Sequence, residues 1–245
     1  MKNNVVFFFR NNNHFSGCFY ACCSLLAALI LRLFCRVHLV ILEAPPKHGA
    51  FIMASNHISH FEPAILGAFF PRALDWVAME ELFQHPWSAQ FFSWLNTIAI
   101  DRFAKDLQAN RRSFRTMLGR LAQGRAIGIF PEGGIRAGRE SILEGAPMKP
   151  GLASLSLLSQ TPVIPCVVLG SDRLYSSKIW LQRPSLWIII GKPITPPSLT
   201  ATPREKTRFD FQQRLSAAFP ELQRELCCRF QLSEEDLPKA PRIRK

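Results

Sequence analysis

The chain has 245 residues, nearly half of them hydrophobic, which suffices for one domain with a sizeable core. A formal charge of +12 calls for anionic partners, but Lys and Arg are spread thinly, with no zinc-finger spacing and no RNP-type segment, which argues against nucleic acid. Seven cysteines, an odd number with no C-x-x-C, argue against a disulfide framework and fit a reducing compartment.

Residues 15–31, FSGCFYACCSLLAALIL, carry no charge. A bilayer-spanning helix wants about 20 apolar residues, and this stretch falls slightly short. No small-residue cleavage site follows it, as a signal peptide requires. Arg10 precedes it and Arg32 follows, so flanking charge sets no orientation. The pattern predicts a helix embedded in or lying on one leaflet, continuing into an amphipathic segment through residues 32–42. The alternative is a buried core helix. Residues 1–45 are therefore read as an N-terminal membrane-associating helical segment, attached to an anionic membrane surface.

Pro45 and Pro46 break the chain, and residues 50–54 (AFIMA) read as a buried strand. That strand delivers SNHISHFEPAIL, residues 55–66, whose Pro63 suits the first turn of a helix. Residues 75–79 and 97–100 read as strands, and residues 104–123 as a helix with Phe114, Met117, Leu118 and Leu121 at helical spacing. Strand 126–130 runs into Pro131-Glu132-Gly133-Gly134. A helix over 151–159 and strands over 163–169 and 186–190 follow. Residues 204–230 read as an amphipathic stretch interrupted at Pro220, and residues 231–245 as a basic tail whose end, LPKAPRIRK at 237–245, is loose. Short apolar strands alternating with helices predict an α/β fold, a layered mostly parallel sheet with flanking helices, over residues 46–230. The polar clusters at His57, Arg102 and Glu132 fall at strand C-terminal ends, where open α/β sheets place their sites.

The cluster at 55–66 admits three chemistries. His57 and Glu62, five residues apart, can meet across a turn, the carboxylate accepting Nδ1–H and leaving Nε2 free as a base. Glu62 can instead be an ordinary helix-start glutamate beside a loop histidine. His57, His60 and Glu62 can also surround a metal, though H-x-x-H-x-E is an uncommon ligand spacing and no H-E-x-x-H is present. No G-x-S-x-G and no P-loop occur.

Four blocks occur in order: Asn56-His57 with Glu62, TIAIDRF at 97–103, IFPEGGIR at 129–136, and TPVIPCVVLG at 161–170. In this order they resemble the glycerolipid acyltransferase family, typified by lysophosphatidic acid acyltransferases. Its blocks read N-H-x-x-x-x-D, G-x-x-x-x-x-R, F-P-E-G-T-R-S and V-x-P. The stretch from Pro147 to Pro165 also looks like the family's lysine-and-glycine approach to the last block. Two departures stand out: Glu62 replaces the usual Asp, and Arg136 falls one residue later than the usual Arg.

The resemblance implies a membrane-associated O-acyltransferase with no covalent acyl-enzyme and no resident cofactor or metal. An acyl group would pass from acyl-CoA or acyl-carrier protein to a hydroxyl of a lipid acceptor, chiefly 1-acylglycerol-3-phosphate, on the cytoplasmic side of a membrane. His57 would be the base and Glu62 its orienting acid. Asn56, Arg102, Glu132, Gly133, Gly134 and Arg136 would bind substrate, the arginines on an acceptor phosphate, Glu132 on acceptor hydroxyls. Backbone N–H groups near the helix start would meet the oxyanion. Other acceptors, a glycolipid or aminolipid, and a non-catalytic lipid-binding protein of the same fold are the alternatives.

Overall fold

The computed structural model describes residues 13–101, 107–198 and 204–238. Arg102 and the last seven positions of the expected basic tail, 239–245, lie outside the described residues. The fold is α/β. Its strands are β1 (Arg36–Ile41), β2 (Phe51–Ser55), β3 (Asp75–Met79), β4 (Ile98–Ile100), β5 (Ala126–Ile129), β6 (Val163–Leu169) and β7 (Ser185–Ile190). They form one sheet in the order β1-β7-β6-β2-β5-β3-β4, parallel throughout except between β6 and β7.

The helices are α1 (Asn13–Phe34), α2 (Glu62–Phe69), α3 (Pro86–Trp94), α4 (Leu107–Ala122), α5 (Gly151–Ser159), α6 (Ser177–Trp180) and α7 (Arg204–Phe230). Two apolar layers cover the two sheet faces. One sets α4, α5 and α7 against Ile52, Ala54, Ile127, Val167 and Ile189. The other sets α1 and α2 against Phe51, Met53, Ile164, Cys166 and Ile188. β2 and β6 are buried along their whole lengths, as their unbroken apolar runs require in the middle of a parallel sheet.

Three expectations are corrected here. Residues 32–42 do not continue the first helix: α1 ends at Phe34, and β1 pairs in parallel with β7. Val40 is buried in one core layer and Val37 packs against the other, so the two valines face opposite sides of the sheet, and the neighbouring β7 supplies the ladder that selects the strand. Pro220 does not interrupt α7. Phe211, Leu215, Phe219, Leu222 and Leu226 form one buried stripe across the proline, and that packing outweighs the missing backbone hydrogen bond. Residues 231–238 fold back, with Leu232 and Leu237 on the core and Asp236 paired to Arg173 at 2.9 Å. α3 had no sequence expectation.

Pro165 sits in β6, an interior strand, where a proline is unusual. It lies opposite Gly191, just past the end of β7. A Cβ on Gly191 would stand 2.9 Å from the Pro165 carbonyl oxygen and 3.0 Å from its ring, so the bare glycine makes room for the proline.

Candidate active site

The C-terminal ends of β2, β5 and β6 lie side by side and carry the residues singled out by the sequence. β2 ends in Ser55, and the next residue, Asn56, is completely buried. Its amide nitrogen donates to the Val168 carbonyl at 2.9 Å and its oxygen accepts from the Val168 N–H at 2.8 Å. Asn56 therefore ties β2 to β6 and fixes the strand that delivers His57. Both polar atoms of the side chain from which substrate contact was expected are thus engaged within the protein.

His57 Nδ1 lies 2.8 Å from Glu62 Oε2. Glu62 opens α2 and has no solvent exposure. Its Oε2 also accepts from the Ser59 N–H at 2.9 Å, and its Oε1 accepts from the hydroxyls of Ser59, at 2.8 Å, and of Ser171. Four donors thus hold the carboxylate in a single orientation, as a buried charge demands. The imidazole stacks on Phe130 at 4.2 Å, and Phe130 stacks on Trp76 at 5.6 Å. Trp76 in turn fits over Gly128, where a Cβ would sit 2.7 Å from the indole ring. The imidazole is thereby clamped on one face, while Nε2 is left unclaimed by Glu62.

His60 turns away from this pair. Its Nδ1 bonds the Tyr175 hydroxyl at 2.5 Å, and its backbone N–H bonds the same oxygen at 2.9 Å. Among the described residues no group of His, Cys, Asp and Glu is arranged to hold a metal ion. The backbone N–H groups before α2 are also committed: His57 to Glu132, Ser59 to Glu62, His60 to Tyr175 and Phe61 to Ser59 Oγ. These four are engaged within the protein, so they are not the N–H groups near the helix start that stand open to an oxyanion.

Glu132 is buried at 6% exposure. Its Oε2 accepts from the His57 N–H at 2.6 Å, and its Oε1 from Ser141 Oγ at 2.8 Å and the Ile142 N–H at 2.9 Å. It braces the His57 loop against the following loop. Burial pushes its carboxyl up to about 6, although these hydrogen bonds pull the other way. Gly133 has φ +69 and, with Gly134, lines a groove beside His57. Arg136 donates its backbone N–H to the His57 carbonyl at 2.7 Å, but its guanidinium stands 3.8 Å from Glu140, off the groove wall and 47% exposed.

The groove has a volume of about 920 Å³ and is overwhelmingly apolar. Tyr20 and Ala27 of α1, Trp76 and Met79 of β3, Phe91 and Phe92 of α3, and Phe114 and Met117 of α4 line it. Ser24, His57, His60, Thr97, Asp101, Asn110 and Lys149 supply polar positions. Ser59, Ser171, Trp76, Tyr175 and Lys149 were not singled out as site residues from the sequence. Ser171 lies 109 residues from Glu62, and no local pattern links them. Lys149 had a signal, since it belongs to the block that approaches β6.

A His–carboxylate pair at the C-terminal edge of a mostly parallel sheet, opening into a large apolar groove, has the form of an enzyme active site. Residues 36–169 match the family described as Acyltransferase, and the chain belongs to it and is an acyltransferase. It is 25% identical over 208 residues to a 1-acyl-sn-glycerol-3-phosphate acyltransferase of Bacillus subtilis, covering 84% of this chain and 98% of that one. It is 28% identical over 184 residues to the protein of the same name in Saccharomyces cerevisiae, covering 75% and 57%. The fold is that of the 1-acyl-sn-glycerophosphate (LPA) acyltransferase PlsC from Thermotoga maritima, with TM-score 0.62, 20% identity, and 88% and 84% of the two chains covered.

Proposed function

We propose that the protein transfers a fatty acyl group from the thioester of acyl-CoA or acyl-carrier protein to a hydroxyl of a lysophospholipid, chiefly 1-acylglycerol-3-phosphate. The observation that carries this reading is the 2.8 Å contact between His57 Nδ1 and the buried Glu62 carboxylate at the groove. The names of the relatives favour the same acceptor.

In this reading, Nδ1–H is donated to Glu62, and Nε2 takes the proton of the acceptor hydroxyl. The acceptor oxygen bonds to the thioester carbonyl carbon. The tetrahedral intermediate then collapses, its C–S bond breaks, and the proton on Nε2 passes to the departing thiolate. Glu62 stabilises the imidazolium between these steps. The acyl chain lies in the apolar groove, and Phe130 and Trp76 keep the base from rotating.

α1 holds the enzyme on the membrane. Its segment Phe15–Phe34 is long and apolar enough to cross a bilayer by length and composition. Tyr20, Ala28 and Leu31 are nevertheless buried against the body, while Leu25, Leu26, Leu29 and Leu33 are more than half exposed. A helix with one face docked on its own domain and the other face apolar and open suits a seat within one leaflet. A screen of acyl-CoA and acyl-carrier-protein donors against phosphorylated and unphosphorylated lipid acceptors, read by product mass, tests the function. Turnover of a glycolipid or aminolipid in place of lysophosphatidic acid would replace the acceptor; absence of any acyl product would refute the reading.

A further inference from the structure

We propose that Lys149, beside Gly133 and Gly134, holds the acceptor's phosphate, a role that the sequence reading gave to Arg102 and Arg136. This inference rests on the acyl-transfer reading above and names the residue that selects a phosphorylated acceptor.

Among the described residues, Lys149 is the one Lys or Arg that lines the groove. The other polar positions of the wall, among them His57, His60, Asn110 and the acidic Asp101, carry no fixed positive charge, so Lys149 is the group placed to offset a dianion that enters. Its position is fixed from both sides. Its N–H donates to the Pro131 carbonyl at 2.9 Å, which lays residue 149 across the Pro131-Glu132-Gly133-Gly134 turn. Its side-chain stem passes over Gly133, where a Cβ would stand 3.4 Å from Lys149 Cε and 3.5 Å from Cγ. Gly133 therefore serves the lysine as well as its own left-handed φ of +69.

The same turn begins at Phe130, the ring that stacks on His57 at 4.2 Å. The cation's stem and the base thus both pack against one short turn, and both line the groove. No described carboxylate forms an ion pair with Lys149, whereas the Arg136 guanidinium stands by Glu140 outside the groove. An exposed lysine with no ion-pair partner among the described residues, lining the same groove as the base, fits a lipid whose phosphate and hydroxyl are a few bonds apart. The donor thioester also carries phosphate, so the test separates the two sources.

The test uses the full-length protein with 1-oleoylglycerol 3-phosphate and 1-oleoylglycerol as acceptors and the thioester that the wild type accepts. Lys149→Met should raise the KM for the phosphorylated acceptor about 10-fold, the loss of one charged hydrogen bond. The KM values for 1-oleoylglycerol and for the donor should stay within about 2-fold of the wild type. Lys149→Arg, which keeps the charge, should recover most of the loss, and Arg136→Ala should change the acceptor KM by less than about 2-fold. Circular dichroism checks that each variant is folded; Lys149→Gln, which also removes the charge, carries the test if Lys149→Met is not. An increase confined to the donor KM would move Lys149 to the donor's phosphate, and unchanged KM values would remove it from binding; either overturns the proposal. A wild type that acylates lipids but ignores phosphorylated acceptors would refute the acceptor assignment itself, and is seen before any variant is compared.

Discussion

Glu62→Gln isolates the charge of the orienting acid from its shape. Gln has the same length, and its oxygen can take the place of Oε2, accepting from His57 Nδ1 and the Ser59 N–H at the existing 2.8 and 2.9 Å. Its NH₂ then faces the hydroxyls of Ser59 and Ser171, which rotate to accept. The fold and the tautomer of His57 should therefore survive. What disappears is the attraction between Glu62 and the imidazolium that forms as the hydroxyl loses its proton. Two unit charges about 4 Å apart interact by roughly 4 kcal/mol at an effective dielectric of ~20. With the imidazolium about half formed in the transition state, about 2 kcal/mol is lost, or roughly 30-fold in kcat. Glu62→Asp keeps the charge and shortens the reach, so it should lose only several-fold. Steady-state kinetics with matched thermal unfolding curves decide the matter. A folded Glu62→Gln enzyme with wild-type kcat would refute the electrostatic role of the carboxylate, and so would a dead Glu62→Asp beside an active Glu62→Gln.

His57→Ala should lower kcat by about 10²–10⁴-fold in a folded protein, and His60→Ala, which breaks only the Tyr175 contact, far less; equal losses would contradict the assignment of the base. Replacing Leu25, Leu29 and Leu33 by Gln removes three exposed apolar side chains from one face of α1. Binding to phospholipid vesicles should fall by at least about 10-fold without loss of helical signal, and full co-sedimentation at high salt would show that another surface anchors the protein. Glu132 gives a pH signature. Between the ordinary 4.5 and about 6 the folded state holds more proton than the unfolded chain, so this group's contribution to stability falls as pH rises through that window and is level above it. Glu132→Gln cannot titrate. Beyond a constant loss from the unpaired His57 N–H, its stability relative to wild type should improve by about 2 kcal/mol between pH 4 and pH 7. A difference in denaturation free energy that stays constant with pH would count against the raised carboxyl.

The sequence by itself determined the class of fold and the pair at its centre. The buried strands announced themselves as unbroken apolar runs, and residues 50–54 and 163–169 became β2 and β6 because only the middle of a sheet can bury every side chain of a strand. His57 and Glu62 were legible because a single turn joins them, and local spacing fixes what a single turn can reach. Tertiary structure decided the rest. Residues 36–41 hold enough apolar character for an amphipathic helix, and they became a strand because β7 offers an open edge. Ser171 reaches Glu62 from the end of β6, a contact set by the order of strands in the sheet and invisible to spacing. Asn56, Glu132 and Arg136 stand in the motifs from which binding roles were expected, but a motif records order along the chain and not direction. The fold turns the first two into hydrogen-bonded supports and leaves the third off the groove, while Lys149, thirteen residues beyond Arg136, is brought back over Gly133 by one backbone hydrogen bond to Pro131.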